Sequence, residues 1–524
     1  MASTTPQTLS PPAIVVKNKT LLTAALMLAT IMQVLDTTIA NVALPHMAAS
    51  LGAAQNEITW VLTSYIVAAA IATPLTGWLA DRLGQKRLFL IAVIGFTVAS
   101  ALCGIATSLP EMVLFRVMQG LFGAVIAPLA QTVLLNINPR EKIGQAMAIY
   151  GMGIMVAPII GPTLGGWLTE SFDWRWVFLI NLPVGVAAVV MLFTFMPRTE
   201  IKIRRFDFFG FGMLALSVGS LQLMLDRGAD NFWFASTETW IELGLVIAGL
   251  WVFIIHCLTD ENPFIDIRIF KDLNFMLASV MMFVVGITLF SGLALLPPLL
   301  QSLMGYPVIF SSVIMAPRGV ATLISMMIVG RLSGKVDARI MMMFGVVCMA
   351  FSLYEMTKFS LQMDYWPVVT TGMLQGFGMG FLFVPLSTMA FATIAPRFRG
   401  DATSMFALVR NMGQGVGISV VTAVLSSMMQ VNHAELAARI TATSQAVVNQ
   451  MPGLLVGNPQ ITAIVNGMVT QQAAMLSYLD DFWLMLLLSL AVVPLILLMR
   501  GPKKAARPQT EEEKALERAH AMAD

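Results

Sequence analysis

The stretch "QVLDTTIANVALP", Gln33 to Pro45, decides how this chain is read. It closes a run from Leu21 to Leu44 in which Asp36 is the one charged residue. About 20 apolar residues rising ~1.5 Å each cross the hydrocarbon core of a bilayer, so the run is long enough to span it. A carboxylate at that depth costs roughly 2.5–3.5 kcal/mol even on the mild insertion scales. A chain that keeps Asp36 there has either a use for it or a partner for it.

Composition agrees with the span. Of 524 residues, 57% are hydrophobic and 11% charged, with a mean hydropathy of +0.79. Soluble domains carry about 25% charge, so this is an all-α polytopic membrane protein. A net charge of +2 argues against nucleic acid as a partner. The polar, Pro-rich start does not resemble a cleaved signal peptide. Cys103, Cys257 and Cys348 fall within apolar runs and read as small core residues, with neither a disulfide nor a metal site. No metal spacing, nucleophile arrangement or cofactor motif points to an enzyme.

Fourteen apolar segments can be counted, from 21–44 to 482–499, with the second at 57–80 and the thirteenth at 401–430. Of the 31 Lys and Arg residues, 24 fall in the segments on one side and four in those on the other; Arg116, Arg318 and Arg410 sit inside spans. The positive-inside rule therefore puts both termini in the cytoplasm. The expected organisation is a cytoplasmic tail 1–20, a six-helix bundle 21–196, and two inserted helices with linkers 197–273. A second six-helix bundle 274–499 follows, with an outer loop 431–479, and then a cytoplasmic tail 500–524.

The division into bundles rests on a weak internal repeat. "RVMQGLFGAVIAPL" in span 4 is echoed by "GMLQGFGMGFLFVPL" in span 12, so Gln119-Gly120 matches Gln375-Gly376. "GWLADRLGQKR" (77–87) is echoed by "GRLSGKVDAR" (330–339), with Gly334 where Asp81 stands. Parallel six-helix repeats around a midplane site are the plan of one large transporter class.

Several residues in these segments carry chemistry. Gln33, Asp36, Thr37, Ala40, Asn41 and Leu44 share one stripe of span 1, which must face a bundle interior or a wet cavity. Burial disfavours the charged carboxylate and a nearby cation restores it, so Asp36 can take a proton in one conformation and release it in another. A permanently paired structural aspartate is the alternative. Helix rise places Arg116 of span 4 at the depth of Asp36, as its partner or as a snorkelling cation. In span 5, Gly153, Ala157, Gly161 and Gly165 form a small-residue stripe for close helix approach, and Pro158 and Pro162 are expected to kink it. Gly77 and Gly84 are expected to permit a tight turn, with Asp81 pairing with Arg82 or Arg87 or facing a helix end. Arg318 and Arg410 have no acid in their own spans, and each suits either an anionic substrate or a helix C-terminus. Asp226-Arg227 reads as a local ion pair and His256 as an interfacial histidine. The abundant Met and Phe suit a cavity for varied apolar molecules.

"LDTTIANVALP", "GWLADRLGQKR", "RVMQG" and "GIMVAPIIGPTLGG" together resemble the signature motifs of the major facilitator superfamily. With fourteen spans and "LQLMLDRGAD" closing span 7, the chain is similar to the EmrB/QacA-type drug:proton antiporters, and its long outer loop tilts it toward the EmrB-like members. The resemblance implies proton-driven export of hydrophobic or amphipathic compounds from the bacterial cytoplasm across the inner membrane. It implies a role in proton transfer for Arg116 with Gln119 and Gly120. For Gly153, Pro158, Gly161, Pro162, Gly165 and Gly166 it implies an antiporter motif, and for Gly77, Asp81, Arg82, Gly84 and Arg87 a cytoplasmic gate. EmrB-like pumps work with a periplasmic adaptor and an outer-membrane channel, which makes the 431–479 loop a docking candidate; its alternative is a passive cap over the outer mouth. That loop is expected to form two amphipathic helices lying on the outer surface. A channel or receptor is the competing class. Among transporters, the runner-up is a dedicated exporter of one fatty acid or metabolite.

Overall fold

The computed structural model describes residues 16–202, 204–229, 231–440 and 459–500. Most of the N-terminal tail, the C-terminal tail from 501 on and residues 441–458 of the long loop lie outside the described residues. The first half is built from α1 (Lys19–Leu51), α2 (Gln55–Ile58), α3 (Trp60–Ala72), α4 (Leu75–Leu83), α5 (Gln85–Ile105), α6 (Leu109–Gly123), α7 (Ile126–Ile137), α8 (Ile143–Ser171), α9 (Trp176–Leu179) and α10 (Asn181–Phe195). Then come α11 (Phe208–Arg227) and α12 (Thr237–Thr259). The second half holds α13 (Leu273–Pro298), α14 (Val308–Leu332), α15 (Ala338–Met356), α16 (Trp366–Ala392), α17 (Arg399–Arg439), α18 (Pro459–Leu490) and α19 (Val492–Leu498). Among the described residues, thirteen helices are long and apolar enough to cross a membrane, and the bent pair α3–α4 makes a fourteenth.

Four of the helices that begin at the basic face, the end carrying most Lys and Arg, are started by side-chain caps. Asn18, Asp207, Asp272 and Asp337 accept backbone N–H groups of the first turns of α1, α11, α13 and α15. A carboxylate there satisfies donors the helix leaves free and faces the positive end of its dipole.

Proline placement bears on spans 2 and 5, and one expectation, that of the outer segment, needs correction. Span 2 is not straight: α3 and α4 meet at 61° with Pro74 at the break, where the ring removes an N–H and crowds the preceding turn. In span 5, α8 runs as one helix with both Pro158 and Pro162 inside it. The outer segment does not lie flat where it is described. Residues 431–439 prolong α17, and 459–479 belong to α18. The two extensions pair through Asn432, which donates to Ser477 Oγ at 3.0 Å and to Asp480 at 3.1 Å, and through His433 beside Asn466 at 3.1 Å. Val465, Val469 and Ala473 recur at helical spacing on one buried face of α18, which favours packing over a surface position. Pro459 sits in the first turn, where its missing N–H costs nothing.

α11 and α12 are tied to one another and to α3. Asp226 accepts from Thr63 on α3, and Arg227 pairs with Glu238 at the start of α12, so the expected Asp226–Arg227 pair is replaced by longer-range partners. His256 Nε2 lies 2.9 Å from Asp207, the α11 cap. All three cysteines are buried and free.

At the basic face the two halves interlock in two places. On one side α4 packs on α17, with Gly77 against Asp401 and Gly400; on the other α14 packs on α8, with Gly330 against Gln145 and Ala148. Thr132 and Thr403 add a cross-half hydroxyl contact at 2.6 Å, and Arg399 donates to the Leu135 carbonyl at 2.9 Å.

Candidate functional site

Asp36 sits in the middle of the first half with no solvent exposure. Its Oδ2 accepts from Arg116 Nη1 at 2.6 Å; its Oδ1 accepts from Gln119 at 2.8 Å and from Asn181 at 2.9 Å. Three helices, α1, α6 and α10, therefore converge on one carboxylate. Arg116 is equally buried and is held by more than the acid: Nε donates to the Val61 carbonyl at 3.0 Å, and Nη1 also reaches Gln119 Oε1 at 2.7 Å. The guanidinium lies over the Tyr65 ring, 4.3 Å from its centre. Asn181 is fixed by Ser100 Oγ at 2.9 Å. In a dry interior such a pair persists only with its remaining polar valences satisfied, and here most of them are.

Asn181, Ser100 and Tyr65 escaped the sequence reading. Asn181 opens α10, where a polar residue beginning an apolar run reads as a loop end rather than as a partner 145 positions from Asp36. The rest of the span 1 stripe divides. Gln33 donates to Tyr65 Oη at 3.2 Å, Thr37 donates to its own helix at Val34, and Asn41 is exposed and outside the network.

The small residues of α8 seat it on α1. A Cβ at Gly161 would collide with Thr38, one at Gly165 would touch Ile39, and one at Gly153 would press on Met27 Sδ. Gly166 faces open space.

At the basic face, Asp81 pairs with neither Arg82 nor Arg87, both of which are exposed. It pairs with Arg204 of the linker at 3.3 Å, and the same Nη1 lies 3.2 Å from Asp401 at the start of α17. Burial works against the Arg204 charge, but the Asp401 and Asp81 carboxylates outweigh it and hold its pKa above the ordinary arginine value. The linker is strapped down by Lys202 N–H to the Asp81 carbonyl at 2.8 Å and by Phe206 against Trp78, ring centres 4.6 Å apart. Gly84 makes the turn, at φ 80°. Gly77 does not: it lies inside α4, and its missing side chain is what lets Asp401 approach.

Arg318 and Arg410 separate in the structure. Arg318 is buried in α14, near α13 and α16. Arg410 is half-buried in α17.

A family model described as the Major Facilitator Superfamily matches residues 26–418. The chain belongs to the major facilitator superfamily. As a superfamily member it is EmrB-like. It is 36% identical over 488 residues to the "Multidrug export protein EmrB" of Escherichia coli K12, covering 92% of this chain and 95% of that one. It is 35% identical to the "Fatty acid resistance protein FarB" of Neisseria gonorrhoeae, covering 92% and 96%. Solved structures agree on the superfamily fold. The proton:xylose symporter XylE aligns with a TM-score of 0.56 at 13% identity, covering 95% of this chain and 98% of that one. The human organic anion transporter MFSD10 aligns at 0.57 and 14%, covering 92% and 100%.

Proposed function

We propose that this superfamily member is a proton-coupled exporter of hydrophobic or amphipathic compounds in the bacterial inner membrane, with both termini in the cytoplasm. The observation that carries the reading is the Asp36–Arg116 pair, fully buried and cross-braced by Gln119 and Asn181. In this arrangement three donors stabilise the ionised carboxylate. Protonation cancels the charge that Arg116 faces and weakens all three bonds, so α1, α6 and α10 lose the tie that holds them together. Proton binding is thereby coupled to helix packing, which is the element an antiporter needs. Asp81, Arg204 and Asp401 close the basic face, read as cytoplasmic, and must part when substrate enters from inside. The multidrug-export names of the EmrB relatives support export and breadth. The FarB relative supports the narrower second reading, a dedicated exporter of one fatty acid or metabolite. An adaptor and an outer-membrane channel complete the proposed pump.

The test is substrate accumulation in proteoliposomes under an imposed pH difference, across lipophilic cations, weak acids and fatty acids. Asp36→Asn keeps size and most hydrogen bonding but cannot titrate, and it is expected to end uphill movement at matched protein content. Continued uphill transport by the variant would make Asp36 structural.

A further inference from the structure

The two halves handle a buried guanidinium differently. In the first, Arg116 projects from α6 over the ring of Tyr65 on α3 and is neutralised by Asp36 on α1. In the second, Gln375-Gly376 repeats Gln119-Gly120, and the position three residues earlier, matching Arg116, is Gly372. The match is spatial as well as sequential. A Cβ at Gly120 would run into the Tyr65 carbonyl, and one at Gly376 would run into the Arg318 carbonyl. Arg318 thus occupies the Tyr65 position. Its Cβ lies 3.5 Å from where a Gly372 side chain would begin, so it passes through space that an arginine fills in the other half.

What is missing is the acid. Arg318 is 8% exposed, and among the described residues no carboxylate comes within salt-bridge distance of it. Its contact to the Leu289 carbonyl is long, at 3.5 Å, and Nη1 has no partner. α13, the counterpart of the Asp36 helix, carries no ionisable residue and presents Gly292, where a Cβ would stand 3.1 Å from Nη1. Two more buried polar atoms without partners flank these glycines in the chain, Ser291 Oγ and Gln375 Oε1. Arg318 lies ten residues into α14, or ~15 Å, near the bilayer centre, where an unpaired cation is most costly.

We propose that Arg318 is the anchor for the acidic head group of an amphipathic monoanionic substrate, a carboxylate on an apolar body. The planar guanidinium matches a carboxylate, and one uncompensated cation calls for one negative charge rather than two. Gly292 leaves room for the head beside Nη1. The proposal rests on the export reading for its cargo but not on proton coupling, because binding can be measured without a gradient.

The experiment measures radiolabelled decanoate binding to the full chain in phosphatidylcholine nanodiscs, with empty nanodiscs as the partition control. Unlabelled decanoate, decanol and decyltrimethylammonium serve as competitors. Decanoate is expected to compete at least about tenfold better than decanol, the scale of one charge-assisted hydrogen bond. Arg318→Gln should weaken decanoate by about tenfold or more and leave decyltrimethylammonium unaffected or tighter, while Arg318→Lys retains part of the affinity. Gly292→Ala keeps the charge and fills the space beside Nη1, so it should also weaken decanoate if Arg318→Gln fails to fold. Equal competition by acid and alcohol, or wild-type decanoate affinity in a folded Arg318→Gln or Gly292→Ala, overturns the proposal. Arg318-dependent binding without pH-driven transport would leave this site standing and remove the proton-coupled reading instead.

Discussion

Asp81 and Asp401 belong to opposite halves of the chain and share one guanidinium, that of Arg204, at 3.3 and 3.2 Å. The cation comes from the linker between α10 and α11, so this segment also clasps α4 to α17. Asp401 is 6% exposed and Arg204 32%, which places the interaction between the surface and buried limits for ion pairs.

Arg204→Gln leaves the two carboxylates facing one another without their common cation. The expected loss of closure is on the order of 2 kcal/mol, between the 0–1 of surface pairs and the 3–5 of broken buried ones. The Thr132 and Thr403 hydroxyls, 2.6 Å apart across the same interface, supply the readout. With cysteines at both positions in a cysteine-free background, oxidation should cross-link the wild-type arrangement and do so much less with Arg204→Gln. Unchanged cross-linking would mean that Arg204 contributes nothing to closure.

The α8 stripe predicts a contrast between two glycines. Gly161→Ala must push Thr38 aside and should destabilise the purified protein by about 1–3 kcal/mol, the usual cost of overpacking. Gly166→Ala meets nothing within 4 Å and gains helix propensity, so its melting temperature should stay level or rise. Equal effects at both positions would contradict the α1–α8 packing.

The fold was legible because a membrane leaves few options. Length, hydropathy and the bias of basic residues bear directly on span number, and the repeat carried the pairing of Gln119-Gly120 with Gln375-Gly376. Asp36 and Arg116 could be matched in depth by counting residues along antiparallel helices. Asn181 could not, because its partner depends on how α10 rotates about its axis, which no count of residues gives. Arg204 was assigned to its side of the membrane, but nothing in a linker's composition says which acids it will bridge. The repeat did hold a usable signal for Asp401: Gly400-Asp401-Ala402 echoes Gly144-Gln145-Ala146, and Gly77 meets Asp401 as Gly330 meets Gln145. The long outer segment misled because its low charge and two prolines suggested separate surface helices, whereas Val465, Val469 and Ala473 form a packing face.

Orientation gives the third prediction. Lys335 and Gln471 are both exposed, and the basic-residue count puts them on opposite sides of the membrane. Single cysteines in a background without the native three should therefore label oppositely. Impermeant maleimide should reach residue 471 in intact spheroplasts and residue 335 only after permeabilisation. Labelling of residue 335 from outside would reverse the proposed topology.

The last prediction concerns the helix pair that rises from the face opposite the basic one. α17 has 41 residues, or ~60 Å of helix, about twice the hydrocarbon thickness, so its far end stands clear of the bilayer. α18 turns Val465, Val469 and Ala473 inward, yet Ile464 is 63% exposed and Met468 55% exposed one turn apart on its outer face. Large apolar side chains in water are tolerated singly, but a pair on a projecting helix fits a protein partner better. If that partner is the adaptor of the proposed pump, Ile464→Asp with Met468→Asp should abolish resistance in cells and leave substrate counterflow in proteoliposomes unchanged. Val469→Asp is the contrasting case: it buries a charge within the pair and should cost several kcal/mol, lowering folded yield in both assays. Equal loss of cellular resistance and proteoliposome counterflow in the Ile464/Met468 variant would place this surface in the transport cycle itself, and the adaptor would have to dock elsewhere.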